Sequence, residues 1–84
     1  MVIFYYSKFR QQFKKLPPDI KLLAANREKI FRKNPFNPKL KTHKLHGELS
    51  EFWAFSIDYQ YRIIFDFVDE DKIRFYSVGK HDIY

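Results

Sequence analysis

Residues 52–67, FWAFSIDYQYRIIFDF, hold two apolar runs on either side of a polar break at Tyr59-Gln60. Aromatic and β-branched residues dominate both runs, and apolar positions recur every second residue. That period belongs to a half-buried strand, and the short break makes the pair a hairpin. Trp53, Phe55, Ile57, Tyr61, Ile63, Phe65 and Phe67 form the apolar set. Alternation sets Ser56, Asp58 and Arg62 apart from them. Arg62 either pairs with Asp58 across the turn or faces a ligand. An acidic turn at Asp69-Glu70-Asp71 leads to a third strand over Ile73–Val78, in which Arg74 and Tyr76 alternate with Ile73 and Phe75. Three successive strands joined by short turns form an antiparallel meander.

Toward the N-terminus, Val2-Ile3-Phe4-Tyr5-Tyr6 reads as a buried strand. Ser7 offers an N-cap, and Phe9, Phe13 and Leu16 follow at helical spacing up to Pro17-Pro18. Pro18 suits a first helical position and Asp19 the positive end of a helix dipole. Ile20, Leu23, Ala24, Arg27, Ile30 and Phe31 carry the second helix toward Lys33-Asn34-Pro35. The short proline turn predicts an antiparallel helical hairpin. The order is β-α-α-β-β-β, with room for a short strand near Lys44-Leu45. The expected fold is a small α+β domain over residues 1–84, an antiparallel sheet with the hairpin on one face. The other face stays open and is a place for a ligand.

The chain of 84 residues has no cysteine, which excludes disulfides, thiolate zinc sites and cysteine nucleophiles. Its apolar runs are too short to span a membrane, and MVIFYYSKF lacks a signal-peptide plan, so a soluble cytoplasmic protein is expected. The net charge is +6. Residues 27–46 hold seven basic residues against Glu28 alone, while the rest of the chain balances nine against nine. Such a patch either attracts a polyanion (nucleic acid, an acidic protein, an anionic membrane surface) or is a solvated lysine face.

Leu40-Lys41-Thr42-His43-Lys44-Leu45-His46-Gly47 adds two of the three histidines to this segment. Prolines before it and Gly47-Glu48 after it argue for extended chain from Lys39 to Gly47. His43 and His46 then point to opposite sides, against a shared metal. There is no G-x-S-x-G elbow, and two glycines make no phosphate loop. What remains is a basic set: His43, His46, His81, Arg62, Arg74, Lys41, Lys44 and Lys80. These types suit RNA cleavage without metal or cofactor. The substrate's 2′-OH is the nucleophile, histidines move protons near neutrality, and cations hold the transition-state charge. Taken singly, each histidine is equally an ordinary surface residue.

The element order, the run LKTHKLHGELSEFWAFSIDYQYRIIF and the ending YSVGKHDIY resemble the RelE/ParE superfamily of bacterial type II toxins. The similarity covers nearly the whole chain and is greatest to the YafQ/YoeB-like mRNA interferases. The resemblance implies a toxin that enters the ribosomal A site, cuts mRNA without metal and is neutralised by a cognate antitoxin, an acidic, partly disordered protein. It implies a catalytic acid at His81, a general base or its helper at His43, and an arginine for the scissile phosphate at Arg62. Lys41, Lys44 and Lys80 match a basic rim for RNA phosphates, with Arg74 as a further RNA-binding candidate. A polar family position falls near Asp58, and Tyr84 matches a C-terminal aromatic near the substrate base. A ParE-like inhibitor of DNA gyrase and a catalytically inactive binding relative share the same fold.

Overall fold

The computed structural model describes residues 1–80, so the expectations placed on His81 and Tyr84 lie outside the described residues. Strand β1 (Val2–Tyr5) leads into helices α1 (Ser7–Lys14) and α2 (Pro18–Lys33). Strands β2 (His43–Lys44), β3 (Trp53–Ser56), β4 (Tyr61–Phe67) and β5 (Lys72–Lys80) follow. They form one five-stranded sheet in the order β1-β5-β4-β3-β2.

The meander is antiparallel from β2 to β5, as its tight turns demand. The sheet as a whole is mixed, which corrects the expectation of a purely antiparallel one. β1 pairs with β5 in parallel, Ile3 opposite Ile73 and Tyr5 opposite Phe75. Two helices separate β1 from the meander, and a connection of that length leaves strand direction open. Nor is β1 a buried strand. It lies at the sheet's edge, with Val2 and Phe4 nearly half exposed. Ser7 is the first residue of α1 and caps nothing. Tyr6 holds the cap position, without a side-chain hydrogen bond. Pro18 does open α2, with Pro17 before it.

One face of the sheet carries the main core. Phe9 and Phe13 of α1 and Ile20, Ala24 and Phe31 of α2 pack there against Ile3, Phe55, Ile63, Phe65, Ile73 and Phe75. Phe31 is fully buried, stacked on Phe55 at 4.8 Å and edge-on to Phe65 at 4.9 Å. The other face has a small cluster of its own, Leu45, Ala54 and Ile64, flanked by Leu49, Phe52 and Tyr76. It is partly covered where the sequence implied an open surface.

Two local features position the rest. The β4–β5 register shifts between Ile64 and Phe65: Phe65 faces Phe75, Ile64 faces Ser77, and Tyr76 is the extra residue. Such a bulge reverses the alternation beyond it. β1 ends at Tyr5, so the outer edge of β5 is uncovered past Phe75. There α1 takes over, and Val78 N donates to Gln12 Oε1 at 2.9 Å. No helix among the described residues is long and apolar enough to cross a membrane.

Candidate active site

The segment joining α2 to β3 was expected to be extended from Lys39 onward. It is instead folded back first. Asn37 Oδ1 accepts from Lys39 N at 2.9 Å and starts a 3-10 turn over Pro38–Leu40. Leu40 is fully buried and anchors the turn in the core. Lys41 then adopts a left-handed conformation, φ 51° and ψ 39°. Thr42 Oγ1 donates to Pro35 O and ties the two ends of the segment together. Only from His43 is the chain a strand, earlier by one residue than the sequence suggested.

His43 sits opposite Ala54 in the β2–β3 register, and Ala54 opposite Ile64. It therefore shares the face that carries Leu45, Ala54 and Ile64, away from the helices. Its Nδ1 lies 3.0 Å from Lys41 O. A carbonyl oxygen only accepts, so Nδ1 carries the proton of this bond. A neutral His43 then bears its lone pair on Nε2, the nitrogen a general base needs. Arg62 is opposite Ser56 and Gly79, on the same face as His43. The two lie two strands apart, roughly 10 Å across the sheet and one pleat along it. Arg62 is half-buried, and that burial lowers its pKa. A partly desolvated guanidinium acts more strongly on a developing negative charge than one in bulk water.

The remaining cations separate. Arg74 shares the face of Arg62 but is engaged by Asp66: Nε meets Oδ1 at 3.0 Å and Nη2 meets Oδ2 at 2.5 Å. Hydrogen bonding and the charge of Asp66 raise the pKa of Arg74. Lys44 pairs with Trp53, and Lys80 with Tyr61. Trp53 and Tyr61 both pack on the main core, so these two lysines lie on the helix side of the sheet. For Lys80 the β-bulge is the reason, and its Nζ stands 5.9 Å from the centre of the Tyr61 ring. Asp58, the pairing candidate that the sequence offered Arg62, is engaged by the backbone of its own turn. Its Oδ1 accepts from Gln60 N and Tyr61 N, both at 2.8 Å, and so holds the β3–β4 turn. His46 falls on the opposite side of the extended chain from His43. Among the described residues no three histidine, aspartate or glutamate side chains converge as metal ligands.

The structure thus brings His43 and Arg62 to one face and sets Lys44 and Lys80 on the other. Sequence reasoning missed the roles of Leu40 and of the Lys41 carbonyl. Asn37-Pro38 at a turn start was the available signal for the first. Nothing in the sequence marks the second.

No family model and no curated protein matches the chain. Solved structures do. YafQ from E. coli strain BL21(DE3) is 17% identical, with a TM-score of 0.79 over 94% of this chain and 91% of that one. A YoeB/ParE toxin from Agrobacterium tumefaciens is 12% identical, with a TM-score of 0.80 over 96% and 99%. The RelBE2 toxin–antitoxin complex from Mycobacterium tuberculosis contains a chain 18% identical, with a TM-score of 0.78 over 95% and 96%. At these identities the likeness is one of fold. The chain shares its fold with these proteins over 94–96% of its length.

Proposed function

We propose that the chain is the toxin of a type II toxin–antitoxin pair and acts as a metal-independent endoribonuclease that cuts mRNA in the ribosomal A site, stopping translation. The observation that carries this reading is His43: it stands on the face away from the helices, its Nδ1 occupied by Lys41 O. His43 Nε2 takes the proton of the 2′-OH, whose oxygen attacks the adjacent phosphorus. The P–O5′ bond breaks, the 5′-oxygen is protonated by His81, and a 2′,3′-cyclic phosphate remains. Arg62 meets the charge on the phosphorane-like transition state. Arg74 is held by Asp66, which leaves Lys41 the stronger candidate for contact with the message. The fold shared with toxins solved in complex with antitoxins supports a cognate antitoxin as the neutralising partner, proposed to be acidic. The net charge of +6 is complementary to such a partner and to RNA alike.

The test is translation in a purified ribosome system, with message ends mapped by primer extension. Cuts inside the A-site codon are expected with the wild type, and none with His81→Ala, whose fold circular dichroism would report intact. Uncut message together with inhibited DNA supercoiling by gyrase would replace this reading with that of a gyrase poison.

A further inference from the structure

A cleft of ≈ 380 Å³ opens at the end of the sheet where α2, the 3-10 turn and the β3–β4 turn meet, lined by Arg27, Lys39, Lys41, Ser56, Asp58 and Tyr59. We propose that this cleft is a second RNA subsite, in which Arg27, Lys39 and Lys41 hold successive backbone phosphates of the message and Tyr59 stacks on an adjoining base. The proposal rests on the ribonuclease reading and extends it to the strand flanking the scissile bond.

Three observations carry it. First, the cations are uncommitted: among the described residues none of the three lysine or arginine groups forms an ion pair. Arg27 Nη1 donates to the neutral Asn26 side chain, at 2.8 Å. Second, the single carboxylate, Asp58, has Oδ1 occupied by two backbone N–H groups, and the turn it holds carries Tyr59. Tyr59 is 84% exposed, an aromatic ring next to a cationic cleft, which is the pairing single-stranded nucleic acid uses. An acidic protein would be served by the cations but gives no account of the ring. Third, the cleft joins the catalytic face. Ser56 lines it and is the register partner of Arg62, while the backbone carbonyl of Lys41 accepts from His43. A strand bound at Arg62 can therefore continue into the cleft.

The probe is a fluorescent single-stranded oligoribonucleotide methylated at every 2′-oxygen, which cannot be cut, titrated with the full chain by anisotropy at several salt concentrations. Arg27→Ala with Lys39→Ala should weaken binding at least tenfold and reduce the salt slope by about 1.4, the value for two lost phosphate contacts on a single strand. Tyr59→Ala should weaken it about tenfold with the slope unchanged. Lys29→Ala with Lys33→Ala, which removes equal charge from elsewhere on α2, should stay within twofold. A wild type that binds no RNA overturns the cleft and the ribonuclease reading together. A wild type that binds and cuts RNA while the cleft variants keep their affinity overturns the cleft alone. Variants that keep the oligonucleotide but lose a polyglutamate peptide, or lose empty ribosomes, overturn it in favour of an acidic protein or of ribosomal RNA.

Discussion

Lys41 shows how much one backbone conformation decides here. A lysine in the left-handed region sits where glycine or asparagine is at ease, at a cost of about 1–2 kcal/mol. That conformation turns the chain from the 3-10 turn into β2 and leaves the Lys41 carbonyl facing the His43 ring. Lys41→Gly should hold or raise the thermal midpoint, while Lys41→Val, β-branched and worse at positive φ, should lower stability by about 1–2 kcal/mol in urea unfolding. Equal stability of the two variants would remove strain from the explanation. Alternation alone set Arg62 apart from the apolar positions of its strand and His43 opposite His46. Positive φ at a lysine could not be read, because it is imposed by its buried neighbour Leu40 and the Thr42 tie to Pro35.

Among the elements, β5 departs furthest from its sequence pattern. Ile73 and Phe75 keep the expected alternation, and the bulge at Tyr76 then moves Val78 and Lys80 to the helix side. The sequence carries no mark of a bulge here, since Tyr76 and Ser77 are both compatible with either face. Lys80 was therefore read into a rim that it does not share with Arg62. The same edge depends on α1 for its hydrogen bonding. Gln12→Ala would leave the Val78 amide without its side-chain acceptor, at a cost of about 1–3 kcal/mol. Hydrogen exchange should then quicken at Val78 ahead of its neighbours in β4. Unchanged protection would mean that the amide finds another acceptor.

Across the whole molecule, the meander, both helices and the α+β class were legible because hydrophobic period and proline positions agree with the tertiary fold. The direction of β1 was not, since strand pairing across two helices has no local signature. Nor does the basic segment 27–46 form one patch. Folding sends Lys44 to the helix side, Lys39 and Lys41 to the cleft, and His43 to the opposite face. Everything hangs on an aromatic core centred on Phe31. Phe31→Ala should cost about 3–5 kcal/mol, a large share of the 5–15 kcal/mol typical of a domain, and should be visible as an early urea transition.

The most direct measurement is single-turnover cleavage of message on stalled ribosomes by the wild type and by His43→Ala. His43 is exposed, and its replacement leaves the core untouched. Loss of a general base should slow cutting by about 10²–10⁴-fold with folding unchanged. A rate within twofold of the wild type would contradict His43 as the base.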